Sequence, residues 1–180
     1  EWLGMEYVNR KDVVNQQRIL ALAKEHGEHE LTKPCDEPEC LTERAEYLAY
    51  TGEKAKAKDM FLKALAMHMT PEQKVKTYES YAKFLHNERD WGAAAEYYYL
   101  ASEAKKQVEG ETEEYINLVY NAAIRMYLGK QFEKALTYYD MVIAFYETHD
   151  LKASQKNIGQ CRKGMGNVCS AMKDYPSAKA

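Results

Sequence analysis

The stretch from Ala123 to Val142 sets a pattern that the rest of the chain repeats. Small, aliphatic and aromatic residues stand there at fixed offsets: Ala123, Met126, Phe132, Ala135, Tyr139 and Val142. The same offsets recur upstream as Ala82, Leu85, Trp91, Ala94, Tyr98 and Ala101. They recur again as Ala45, Leu48, Lys54, Ala57, Phe61 and Ala64, with Lys54 the one misfit. Downstream they begin once more as Gly166, Cys169, Tyr175 and Ala178. A single match of this kind carries no weight. Four in one chain point to a repeat architecture, in which each unit leaves an apolar face bare and gains stability by stacking on its neighbours.

Each occurrence reads as a helix, a tight turn and a second helix. In the central unit the first helix ends near Gly129 and the second opens near Phe132. Gly52 is placed to end a helix in the left-handed conformation, and Gly110 to break one. Thr70-Pro71-Glu72-Gln73 has the composition of a capping box, with Thr70 as cap and Gln73 closing it. Asp36-Glu37-Pro38-Glu39 reads the same way, with Asp36 as cap, Pro38 in the first turn and Glu39 completing the box. Thr112 caps the third pair, Asp150 or Ser154 opens the fourth, and Asp174 caps its last helix. The units therefore span about 39–70, 71–110, 112–150 and 154–180. The equivalent alanines Ala57, Ala94, Ala135 and Ala178 are separated by 37, 41 and 43 residues. Ala82 and Ala94 are expected where two helices cross, because only a small side chain lets the axes approach. Trp91, Tyr98, Phe132 and Tyr139 are expected to fill the space between one pair and the next.

Ahead of the array, residues 1–26 carry Val13, Val14, Ile19, Leu20 and Ala23 at amphipathic helical spacing. They read as a leading helix covering the exposed end of the array. Residues 27–38 read as a polar, proline-containing linker. The chain opens at Glu1 and stops inside a helix that has barely begun, so it is expected to be a segment of a longer protein.

With 46% hydrophobic residues the 180-residue chain is not disordered, and 29% charged residues with mean hydropathy -0.67 exclude a membrane-embedded one. A net charge of -3 gives no electrostatic case for nucleic acid. Cys35, Cys40, Cys161 and Cys169 are irregularly spaced, unlike a secreted disulfide framework, so a reduced, cytoplasmic chain is expected. His26, His29, Cys35 and Cys40 can be read as four zinc donors across a loop. Their spacings match no standard zinc module, and exposed histidines with unrelated thiols, or a short-range disulfide outside the cell, are the plainer alternatives. No metal or cofactor is expected. Cys161 and Cys169, about 12 Å apart along a helix, are too distant to bridge and suit core or groove-edge positions. No Gly-rich phosphate loop, Gly-x-Ser-x-Gly elbow or HExxH pair is present, so the chain is not expected to be an enzyme.

The alternation of small and aromatic residues around a turn that ends in an aromatic resembles the tetratricopeptide repeat (TPR) family. The likeness covers about Glu39 to Ala180, and its closest unit is Met165-Gly166-Asn167-Val168-Cys169 with Lys173-Asp174-Tyr175-Pro176-Ser177-Ala178. The family's usual tryptophan early in the first helix is replaced by Leu41, Tyr78, Val119 and Arg162. The spacing exceeds the family's roughly 34 residues and is similar to that of kinesin light chains, LGN-type scaffolds, MalT-like regulators and Rap-type peptide sensors. The resemblance implies an all-α, right-handed α-solenoid of antiparallel helix pairs whose concave groove binds a protein or peptide partner. Its groove-facing offsets pick out Glu46, Tyr50, Lys76, Glu79, Lys83, Asn87, Asn117, Tyr120, Ile124, Tyr127, Lys163 and Asn167. That mixture suits an extended peptide carrying a carboxylate and an apolar side chain. Lys163 and Asn167 also resemble the opening of the clamp by which chaperone-binding TPRs grip an acidic C-terminus, although the following repeats that complete it are missing. Two other roles are open: a peptide- or ligand-sensing domain of a bacterial-type regulator, and self-association into a homo-oligomer through the open end at Ala180.

Overall fold

In the computed structural model the described residues are 35–149 and 154–174. They form seven α-helices and no strand: α1 (Pro38–Tyr50), α2 (Lys54–Leu65), α3 (Pro71–Asn87), α4 (Trp91–Glu109), α5 (Glu113–Leu128), α6 (Phe132–Thr148) and α7 (Ser154–Asp174). Each helix packs on the next in sequence, and α1 also touches α3 as α5 touches α7. The leading helix, all but the end of the linker, and the last helix of the fourth unit lie outside the described residues.

The turns joining α1 to α2, α3 to α4 and α5 to α6 are built alike. In each, the residue two places before the new helix has a positive φ: Gly52 at 89°, Arg89 at 61° and Lys130 at 60°. Its N–H donates to the carbonyl three residues back, Ala49, His86 or Tyr127, at 3.0–3.2 Å. The following N–H, of Glu53, Asp90 or Gln131, donates to the carbonyl five residues back, Leu48, Leu85 or Met126, at 2.8–2.9 Å. This pair of bonds satisfies the last carbonyls of a helix through one left-handed residue. Gly52 adopts that conformation as its sequence implied. In the central turn Lys130 adopts it, while Gly129 keeps φ at -79°. Gly129 is small for another reason: a Cβ there would lie 3.3 Å from Trp91 Cβ and 3.5 Å from the Gly92 nitrogen.

Burial follows the same register. Ala57, Ala94 and Ala135 are each the fourth residue of the second helix of their pair, and all are fully buried. So are Ala45, Ala82 and Ala123 in the first helices. Lys54, the misfit, ion-pairs with Glu88 at 2.8 Å. Trp91, its counterpart, lies against Gly129, the counterpart of Glu88. The contact is kept and its chemistry exchanged. The fourth unit differs, because Gly166 and Cys169 are exposed. In the other units these positions bury against the pair's own second helix, and no such helix is among the described residues.

Helix starts separate a real cap from a false one. Thr70 accepts from the Gln73 N–H and the Gln73 side chain accepts from the Thr70 N–H, completing the box that opens α3. Thr112 accepts from the Tyr115 N–H to open α5. Asp36, however, does not cap α1. Pro38 takes the first helical position, which makes Glu37 the capping residue, and no side chain caps it. The array's first helix therefore starts on a proline, without a side-chain cap. α2 ends at Leu65, and α7 is helical through Asp174.

Candidate binding groove

An aromatic ring from the second helix of each pair meets the first helix of the next. Phe61 of α2 lies 5.4 Å from Phe84 of α3, centroid to centroid. Tyr98 of α4 holds the Arg125 guanidinium of α5 over its face at 4.8 Å. Tyr139 of α6 presses on α7 at Gly164, where a Cβ would come within 2.6 Å of the ring. The three junctions thus start from equivalent rings and differ in what each ring meets.

The first junction leaves a cavity of about 340 Å³, lined by Glu46, Ala49 and Tyr50 of α1, Lys54 and Phe61 of α2, Ser80, Lys83, Phe84 and Asn87 of α3, and Glu88. Phe61 and Phe84 are buried and form its apolar part, whereas Tyr50 is 64% exposed. A polar seam holds α1 to α3 beside it. The Thr42 hydroxyl donates to the Pro38 carbonyl at 2.7 Å, so in the buried 3.0 Å contact with Thr77 it is Thr77 that donates. Ser80 Oγ donates to Glu46 Oε1 at 2.5 Å. Lys76 Nζ reaches Glu43 at 2.6 Å.

This cavity gathers Tyr50, Lys83 and Asn87 of the sequence-predicted groove, together with Glu46. Both lysines of the second unit are engaged. Lys76 is held protonated chiefly by its hydrogen bond to Glu43. Burial pushes the Lys83 amine down, but the hydrogen bond to Glu79, 2.8 Å away, and the charges of Glu79, Tyr98 and Glu46 outweigh it and raise the pKa. Asn117, Lys163 and Asn167 are exposed on α5 and α7. Tyr120 and Tyr127 are half-buried, their rings packed 6.0 Å from Tyr139 and 6.2 Å from Phe132.

The groove offsets passed over a cluster at the second junction. Arg125 Nη1 donates to the Asn121 carbonyl and to Asn121 Oδ1, at 3.3 and 2.9 Å. Arg125 Nε is buried without a hydrogen-bond partner among the described residues, and so is Nδ1 of His86. The His86 ring meets Trp91 edge-on at 4.9 Å. Burial, and then the Arg125 charge, lower the His86 pKa. Arg125 occupies the place of Phe84, and a search for exposed offsets does not find it.

Cys35 and Cys40 form a disulfide, correcting the expectation of reduced thiols at these two positions. It removes both sulfurs from the candidate zinc set, of which His26 and His29 lie outside the described residues. No group of three or more potential metal ligands occurs among the described residues. Cys161 is a buried free thiol, pushed up to about 11 by burial, and Cys169 is an exposed one.

Set against protein-family models, curated proteins and solved structures, the chain matches none. Among the described residues no helix is long and apolar enough to cross a membrane.

Proposed function

We propose that the chain is a TPR-like right-handed α-solenoid that binds an extended peptide or a partner helix along the faces of α1, α3 and α5. Helices in contact across three-residue turns run back alongside each other, and the contacts of α1 with α3 and of α5 with α7 fit successive pairs stacking in one direction. The observation that carries the reading is the first-junction cavity, where Glu46, Tyr50, Lys83 and Asn87 converge over a Phe61–Phe84 floor. Helices fix these side chains before a partner arrives, so the partner bears most of the ordering cost. A displayed library of extended peptides, selected on the immobilised chain, tests it. Enriched sequences are expected to lose binding to Tyr50→Ala and Lys83→Glu while circular dichroism stays unchanged. Selected peptides that bind both variants as well as the parent would reject this face.

A further inference from the structure

The charges around the first-junction cavity are unequally matched. Lys54 is paired with Glu88 at 2.8 Å and Lys83 with Glu79 at 2.8 Å, and just beyond the lining Lys76 is paired with Glu43 at 2.6 Å. Every lysine at or beside the cavity therefore has its carboxylate. Glu46 acts on Lys76 and Lys83 only at a distance, as one of the charges that raise their pKa values. Its Oε1 accepts from the neutral Ser80 hydroxyl, and no ion pair within 4 Å reaches it among the described residues. The Ser80 bond also holds the carboxylate in place at the cavity wall. Beside it stand an apolar floor of Phe61 and Phe84 and the exposed ring of Tyr50, whose face attracts cations.

Resting on the groove reading above, we infer that this cavity takes a peptide segment with an apolar side chain, set over Phe61 and Phe84, next to a lysine or arginine that pairs with Glu46. A ligand carboxylate, which the lysines of the sequence suggested, would have to displace Glu79 or Glu88 from a lysine already satisfied. A ligand cation meets a carboxylate held by one neutral donor and an aromatic face, and displaces nothing charged.

The test uses three pools of synthetic, N-acetylated and C-amidated octapeptides, each with one central Leu or Phe among Gly, Ala and Ser. One pool adds a single Lys or Arg, the second a single Asp or Glu, and the third no charge. Binding to the chain is read by fluorescence anisotropy at low and at physiological salt. The cationic pool is expected to bind about tenfold more tightly than the anionic one. Glu46→Gln, which keeps the acceptor for Ser80, is expected to erase that preference, and Glu46→Lys to invert it. Equal binding of all pools, or preference for the anionic pool, with sensitivity to Tyr50→Ala retained, overturns the cation assignment and leaves the groove standing. No binding by any pool overturns both.

Discussion

Gly164 is the residue at which the stacking register is most exposed to test. An alanine Cβ there would sit 2.6 Å from Tyr139 Cζ, 2.8 Å from Oη and 2.9 Å from Cε1. That is about 1 Å inside the ~3.5 Å at which carbon atoms pack best. Tyr139 is only 3% exposed, and burial pushes its phenol up to about 12, so the ring has little room to withdraw. Overpacking of this kind costs about 1–3 kcal/mol. Against it stands the gain of about 1 kcal/mol when alanine replaces glycine inside a helix. Gly166, on the same helix, has nothing within 4 Å of a built Cβ and supplies the control. Gly166→Ala is expected to stabilise by up to about 1 kcal/mol, and Gly164→Ala to be neutral or destabilising by up to about 2 kcal/mol. Urea unfolding measures both, and in thermal scans each kcal/mol corresponds to about 2–4 °C for a chain of this length. In a Tyr139→Leu background, where the ring is gone, Gly164→Ala should change sign and stabilise. If the two glycines respond alike in the parent chain, Tyr139 does not press on α7 and the register of the last junction is wrong.

The left-handed residues Arg89 and Lys130 pay for a conformation that Gly52 adopts freely, so Arg89→Gly and Lys130→Gly should each stabilise by up to about 1 kcal/mol in urea titrations, and Gly52→Ala should destabilise by a similar amount. Thr70→Ala should cost about 1 kcal/mol through loss of the capping box, whereas Asp36→Ala should be silent by the same measurement. The His86 pKa is depressed below its ordinary 6.5 by burial and by Arg125. The unfolded chain therefore binds this proton first as pH falls, and the contribution of His86, complete above about pH 6.5, should be lost through the interval down to its folded pKa. NMR titration should place that pKa below 6.5, and His86→Gln should flatten the acid limb of the stability profile. A thiol reagent at neutral pH should label Cys169 in the native chain and Cys161 only on unfolding; prompt reaction of both would contradict the burial of Cys161.

The parts of the fold that depend on size were legible from residues alone. Ala45, Ala82 and Ala123, and Ala57, Ala94 and Ala135, are fully buried at equivalent places because only a methyl group fits where the helices meet. The parts that depend on partner choice were not legible. Nothing in arginine or lysine announces a left-handed residue, so Arg89 and Lys130 were invisible while Gly52 was plain. Asp36 looked like a cap until Pro38 took the first helical position and moved the cap to Glu37. Cys35 and Cys40 carry no spacing signature that distinguishes a bridge from two thiols. In the groove, register named the faces, but the pairing of Lys76 with Glu43 across 33 residues depends on how α1 and α3 are set together. That pairing changed the meaning of the site, because lysines read as waiting for a carboxylate already hold one.

The three junctions show why a periodic chain can have a localised site. The backbone places Phe61, Tyr98 and Tyr139 at equivalent points; the first two meet equivalent residues of different chemistry, Phe84 and Arg125, and the third meets Gly164, four residues earlier in the register. Phe84 gives an apolar floor with a cavity above it. Arg125 extends over Tyr98 and is tied back to Asn121, so that junction holds a half-buried guanidinium instead. Gly164 lets Tyr139 reach the helix itself. Since turns and alanines set the frame and one facing residue sets the filling, Phe84→Arg should carry the second junction's chemistry into the first. The introduced guanidinium would stand near Glu46 and compete with a ligand cation for it. Loss of cationic-peptide binding in that variant, restored in part when Glu46 is also replaced by a residue that leaves the cavity open, would be incoherent with the assigned ligand. Loss that no change at Glu46 restores is the outcome the geometry requires, because the carboxylate is itself the ligand's anchor.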